Sequence, residues 1–385
     1  MMPSSPSLVR TLGAGLALAL ATALPATAQS TGRPDQIFVA DRGGEVKNQA
    51  GVVTSDTISE VTYQQRGRDR DVEAGRVDRV VFGDVPPAYR DAQGYANRGD
   101  LENAVRKYRM VADDDGAREP VRAKARFRAA QGLMQAAAAD PASTPFTEVV
   151  EEFDRFLSEH PTSRLVPQAR RMQARARWIS GDAASAGELA RGVFEALDPT
   201  GDSAYRPALC YRAGLESARA YLAAGDTATA TAVYAAIQDS LTSLMAEAED
   251  ADRTAYDLLK EHAVLGQGWT LLAEGKHGQA ATFFRGRISD GQPAPLRFAS
   301  RLGLAEGLLG QGKHREAQLE FAAVAGLDHT DRDNVAQALV GLVRCAQALG
   351  DEDGGERIQD WLADVASQYG DTPAAAAARE LAAAL

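Results

Sequence analysis

The chain has 385 residues, enough for two or three ordinary domains or for one small domain followed by a repeat array. Lysine and arginine number 42 against 53 aspartates and glutamates, and the resulting net charge of −11 argues against broad nucleic-acid binding, which needs a basic footprint. Aromatic residues make up only 6% while alanine is abundant, a bias that suits thin, closely packed helices rather than a thick sandwich core.

Residues 1–28 read as a signal peptide. Arg10 supplies the positive start, Thr11 to Leu24 a short apolar run, and Ala26-Thr27-Ala28 before Gln29 a small-residue cleavage site. The run falls short of the ~20 residues that span a bilayer. No cysteine follows it for lipid attachment. The expectation is a periplasmic or otherwise exported protein with no integral membrane segment after signal cleavage.

From Gln36 to about Gly83 the pattern has period two. Gln36–Ala40, Ala50–Thr54, Glu60–Tyr63, Val72–Ala74 and Val77–Phe82 read as short strands, with Asp41–Gly44 a turn and Gln65–Asp71 a charged loop. So many short strands in so little chain imply a small curled sheet or barrel over residues 29–85. With Val77, Val80 and Phe82 at its close, the stretch resembles the SH3-like or Sm-like barrels that precede helical repeats in some exported bacterial proteins. The loop Arg66-Gly-Arg-Asp-Arg70 offers a phosphate contact on one reading; on the other it is a solvated tip whose charges Asp69 and Asp71 cancel. Pro86-Pro87 ends the domain.

From Ala88 the period is helical. A glycine recurs at 99, 181, 225, 275 and 312, and in a worn copy at 350. Five residues after the good copies stand Ala104, Ala186, Ala230, Ala280 and Ala317; nine after stand Tyr108, Ala190, Tyr234, Phe284 and Phe321. Seven before stand Ala92, Ala174, Ala218, Gly268 and Ala305. Four-residue steps place these on one helix face, and small residues opposite aromatics let two helices approach closely. The pattern describes a helical hairpin with the glycine at its turn. One more hairpin fits before Gly181, with helices over Arg122–Ala139 and Phe146–Glu159.

These residues resemble the tetratricopeptide repeat family, whose unit is a helix–turn–helix of about 34 residues stacked into a superhelix. Phe153–Pro161 with Leu165–Ala169 is similar to repeats of bacterial envelope-assembly proteins of that family. The implied fold is mainly α, a solenoid of about seven hairpins over residues 86–385, preceded by the small all-β domain. Long spacings imply long helices or loops around Asp198–Tyr205 and Ser240–Asp252. The helix from about Glu356 and the alanine-rich tail Pro373–Leu385 would form a terminal cap with one face toward water.

Catalytic signals are weak. His160, His262, His277, His314 and His329 form no metal spacing, and His277 and His314 share one hairpin-turn position. Asp113–Asp115 and Asp351–Asp353 lack the spacing of a calcium loop. Cys210 and Cys345 fall three repeats apart, too far for a disulfide, whose Cα atoms lie within ~7 Å, and read as buried core thiols. No phosphate loop or nucleophile elbow is present. The expectation is a binding protein that uses no metal or cofactor.

In stacked hairpins the first helix of each pair lines the concave side. Residues ten, six and three before each glycine should face it: Arg171, Arg175 and Trp178; Leu215, Arg219 and Leu222; Leu265, Trp269 and Leu272; Leu302, Glu306 and Leu309. Arg344 joins this set on the next hairpin. Basic and aromatic side chains would suit a peptide with an acidic group or free carboxylate. Alternatively Arg170, Arg171, Arg175 and Arg177 pair with Glu148, Glu151, Glu152 and Asp154 on the preceding helix. The expected function is an envelope scaffold holding a protein or peptide in its groove; the other reading is a glycan-binding module with the β domain as reader and the repeats as spacer.

Overall fold

The computed structural model describes residues 32–41, 44–247, 250–350 and 354–385. The signal peptide expected over residues 1–28 lies outside the described residues. The architecture is mainly α, with a five-stranded antiparallel sheet at the N-terminal end. No helix among the described residues is long and apolar enough to cross a membrane.

Strands β1 (Asp35–Ala40), β2 (Val46–Asp56), β3 (Glu60–Gln65) and β4 (Arg68–Glu73) form a meander. After one 3-10 turn, Ala74–Arg76, strand β5 (Val77–Val81) returns to the free edge of β1, giving the order β4-β3-β2-β1-β5. Ile37, Val39, Val53, Val61, Tyr63, Val77 and Val80 close its core. The stretch Gln65–Asp71 is not the loop that its charges suggest. Only Arg66 and Gly67 turn, both at positive φ, and Arg68 to Asp71 pair with β3. Exposed charge on this outer strand guards a sheet edge against further pairing.

Seven helical hairpins follow. They are α1 (Pro87–Asn97) with α2 (Leu101–Ala112), α3 (Glu119–Ala139) with α4 (Phe146–Glu159), and α5 (Val166–Ile179) with α6 (Ala183–Glu195). Next come α7 (Pro207–Ala223) with α8 (Thr227–Glu247), and α9 (Asp250–Ala273) with α10 (His277–Arg285). Helices α11 (Ala294–Gly310) and α12 (His314–Leu327), then α13 (Arg332–Leu349) and α14 (Gly354–Gln368), complete the pairs before α15 (Pro373–Ala383). The hairpin without a glycine, α3–α4, lies where its apolar spacing placed it.

The recurring glycines explain the turns. Gly99, Gly181, Gly225, Gly275, Gly312 and Gly350 all have φ between 63° and 97°, where a side chain is strained. In the first five, the next residue's N–H reaches back to close the helix, as from Asp100 to the Tyr95 carbonyl at 3.0 Å. That residue then starts the second helix: Asp100, Asp182 and Asp226 accept from the N–H three residues on. Every small residue and every aromatic of the repeated phrase is buried.

The rings bury themselves against glycine on the next helix. An added Cβ at Gly266 would stand 2.4 Å from Tyr234, one at Gly303 2.4 Å from Phe284, and one at Gly341 2.4 Å from Phe321. The aromatics of α8, α10 and α12 therefore fix how closely the following hairpin stacks.

The first helices touch in sequence, α5 to α7, α7 to α9, α9 to α11, α11 to α13 and α13 to α15. Helix α15 then meets α5, and α14 meets α3, so the array closes into a ring. The C-terminal segment is thus not a cap with one face toward water. Gly370 lies so close to α3 that a Cβ there would stand 1.9 Å from the Ala138 carbonyl oxygen. Arg175 on α5 donates to the Asp371 carbonyl at 2.6 Å and to both Asp333 oxygens at 3.1 and 2.5 Å.

The sheet is docked on three connections between successive hairpins. Asp35, buried, pairs with Arg118 at 2.7 and 3.0 Å and accepts the Val53 and Gly83 N–H groups at 2.8 Å each. Arg164 holds Asp56 at 2.7 Å, and Ile58 bonds to Thr162 on one side and Ala204 on the other. Gly75 donates to the Asp202 carbonyl at 2.7 Å. The β domain therefore braces the α2–α3, α4–α5 and α6–α7 connections together rather than covering the first hairpin alone.

Replacing Gly303 or Gly341 with alanine should cost about 1–3 kcal/mol by over-packing, whereas Gly192→Ala, at an open helical position, should gain about 0.5–1 kcal/mol; urea unfolding reads both signs. Gly370→Ala should open the ring while retaining helix. Small-angle scattering would register it as a larger radius of gyration, with unchanged circular dichroism.

Candidate functional site

The inner helices enclose one cavity of about 540 Å³, open on one side. Its wall takes Trp178 from α5, Glu216, Arg219 and Leu222 from α7, and Trp269 and Leu272 from α9. His277, Glu306, Asp333, Gln337 and Arg344 complete the polar part, and Pro373 and Ala374 of α15 close the circle. Trp178, Arg219, Leu222, Trp269, Leu272, Glu306 and Arg344 come from the last two turns of their inner helices, beside the hairpin glycine, whereas Asp333 and Gln337 come from the start of α13 and Pro373 and Ala374 from the start of α15.

Seven of the thirteen side chains expected in the groove line this cavity: Trp178, Arg219, Leu222, Trp269, Leu272, Glu306 and Arg344. Arg171 and Arg175 do not; they stand beside it and hold carboxylates of its wall. Arg171 pairs with Glu216 at 2.9 and 2.5 Å, and Arg175 with Asp333. Their expected partners on α4 are engaged elsewhere. Glu148 and Glu152 receive Arg109, and Glu152 also receives the buried Arg126, which contacts Asp113 and Glu159 as well. Only Arg177 approaches Asp154, at 3.8 Å. Leu265 and Leu302 are fully covered core residues, and Leu215 and Leu309 pack partly buried against the core. Ten residues before the glycine, an inner helix is already covered by its neighbours in the closed ring.

Arg219 lies with its guanidinium 5.3 Å from the centre of the Trp269 ring, which itself meets Phe284 edge-on at 5.1 Å. The indole face attracts the cation and fixes its reach into the cavity. Among the described residues, neither Arg219 nor Arg344 forms an ion pair, in contrast to Arg171 and Arg175. Glu306 accepts from Gln337 at 3.0 Å. It keeps a partly accessible edge toward the cavity, yet the surrounding helices displace most of its water. That burial lifts its carboxyl above the ordinary range, opposed by Arg344, the Gln337 bond and His277.

The histidine pair of the repeated phrase proves structural in placement. His277 and His314 each begin a second helix, each with Nδ1 buried and unbonded, and His277 packs against Gly310. Among the described residues no group of three or more His, Cys, Asp or Glu side chains is arranged to hold a metal ion. Cys210 and Cys345 are free and buried, their thiols pushed up to about 12 and about 11 by burial. The basic residues of the Arg66–Arg70 stretch are exposed on the outer strand and the tip that precedes it.

His262, also on α9, is held down to about 4 by burial and then by Arg219, with Asp331 opposing. A free histidine takes up a proton near 6.5. The unfolded chain therefore binds more protons between these values, and the stability that neutral His262 supplies is lost as pH falls from about 6.5 toward 4. Glu306, raised in the folded chain, acts in the opposite direction. His262→Gln should flatten this acid loss, seen as a difference between the two proteins' unfolding free energies measured across that range.

Set against models of known protein families, the chain matches none, and comparison with curated proteins finds no match.

Proposed function

We propose that this protein is a non-enzymatic scaffold of the tetratricopeptide-repeat type, exported to the cell envelope, that holds a protein or peptide partner in its concave groove. The observation that carries this reading is the inward-facing cavity. There the apolar surfaces of Trp178 and Trp269 stand beside two arginines that form no ion pair among the described residues. Tryptophan and arginine in a desolvated recess are the residues that most often anchor a partner. The repeated hairpin phrase supports the repeat assignment, and the signal-like residues 1–28 support export. Peptidoglycan-side or other envelope assembly is the setting that these two features suit together.

The β domain is joined to the helices by Asp35–Arg118, Asp56–Arg164 and main-chain bonds at the α4–α5 and α6–α7 connections. That mounting favours a structural brace over a free-standing glycan reader. The test therefore uses the full chain. Wild type and a Trp178→Ala/Trp269→Ala variant are expressed with an affinity tag, recovered from envelope fractions and compared by quantitative mass spectrometry. The partner should be enriched at least about tenfold with wild type over the variant, the loss that ~1.4 kcal/mol at a hot spot produces, with both proteins showing cooperative melting. Equal recovery from two folded proteins would end the groove reading.

A further inference from the structure

The cavity has more to say about what enters it. Its wall is apolar at Trp178, Leu222, Trp269, Leu272 and Pro373. The four arginines around it divide into two kinds. Arg171 and Arg175 are neutralised by Glu216 and Asp333, so those two carboxylates are spent. Arg219 from α7 and Arg344 from α13 project from different sides of the ring without an ion pair among the described residues. Guanidinium groups drawn partly out of water gain from a bound anion, and a planar fork matches a carboxylate. The ring closure bounds the space: at about 540 Å³ it has the size of a small-molecule pocket, and α15 seals the side along which an open groove would continue.

From this geometry we infer that the cavity is a binding site for a compact apolar carboxylate, its anionic head held between Arg219 and Arg344 and its body packed against Trp178 and Trp269. The ligand is either a free small acid or the carboxyl end of a partner polypeptide with an apolar last side chain. The inference rests on the groove reading above and specifies its ligand.

Glu306 gives the site a second property. Acting on it are His277 from α10 and Gln337 and Arg344 from α13, and it acts in turn on the buried Cys345 thiol of α13; Asp333 from α13 and Arg219 and Glu216 from α7 line the same cavity. Helix α9 presents Trp269 and Leu272 there, and on α12 Glu320 is held by Arg301 at 2.6 Å. An entering anion repels the Glu306 carboxylate and competes for Arg344. Binding therefore raises the proton affinity of Glu306, and by linkage the anion binds more tightly as pH falls through the range where Glu306 titrates, by at most about tenfold per pH unit for one linked proton.

The test is calorimetry on the full chain with N-acetyl-L-phenylalanine and, as its neutral twin, N-acetyl-L-phenylalaninamide. The acid should bind at least about tenfold more tightly than the amide, and Arg219→Gln or Arg344→Gln should each weaken the acid about tenfold without changing the amide. Glu306→Gln, which keeps a carbonyl oxygen for Gln337, should bind the acid more tightly near pH 7.5 and abolish the proton uptake seen in buffers of different ionisation enthalpy. An N-acetylated tripeptide ending in phenylalanine distinguishes the sources: tighter binding than the single residue marks a polypeptide end, and exclusion marks a free acid. Equal binding of acid and amide, or no heat with either at millimolar concentration and a folded protein, overturns the inference. If the acid fails while the double tryptophan variant still loses its envelope partner, the anion assignment falls alone; if the acid binds while capture is unchanged, the scaffold reading falls and the site stands.

Discussion

Everything in the helical part follows from how closely one hairpin can lie on the next. Tyr234, Phe284 and Phe321 seat their rings where Gly266, Gly303 and Gly341 leave no side chain in the way. A ring against bare backbone lets helices approach closely and removes apolar area from water at the same time, roughly 25 cal/mol per Å² buried. Repeated at α8–α9, α10–α11 and α12–α13, that contact sets how each of these hairpins lies on its predecessor. The accumulated turn of the stack carries α15 round to α5.

Closure and the N-terminal sheet constrain the array from two sides. On one, Arg175 ties the first groove helix to Asp333 and the Asp371 carbonyl. On the other, Asp35 gathers Arg118, Val53 and Gly83 into one buried cluster, so that the sheet holds the early turns in a fixed relation. Buried ion pairs of this kind add little net stability but fix geometry, since either partner alone would be a costly uncompensated charge. The cavity lies inside the part of the ring that these contacts hold in register. Its arginines and tryptophans sit on helices rather than loops, the arrangement that gives a binding site its precision.

Much of this was legible from residue spacing, and the failures have physical causes. The glycine, alanine and aromatic phrase gave the hairpins because both halves of that contact lie within one short segment. Cavity residues near each glycine, Trp178, Arg219, Trp269 and Glu306, could be picked out for the same reason. Leu265 and Leu302 could not, since whether a residue two turns further back is covered depends on the curvature of the whole ring. The receiving glycines Gly303 and Gly341 stood in plain view; their signal was a small residue at a fixed distance from the preceding aromatic, across a connection of variable length. Strand β4 was obscured because its residues are charged on both faces, leaving period two without an apolar phase. The Arg175–Asp333 pair joins residues 158 apart and has no local signature at all.

A ring has a property that a stack lacks. An open solenoid can gain or lose a repeat and remain a solenoid, because each unit needs only its neighbours. Here Gly370 must reach Ala138 and Asp333 must reach Arg175, so an added hairpin would push these partners apart and a deleted one would drive them into each other. The number of repeats is therefore fixed by closure, and the chain's two distant ends are bound to change together.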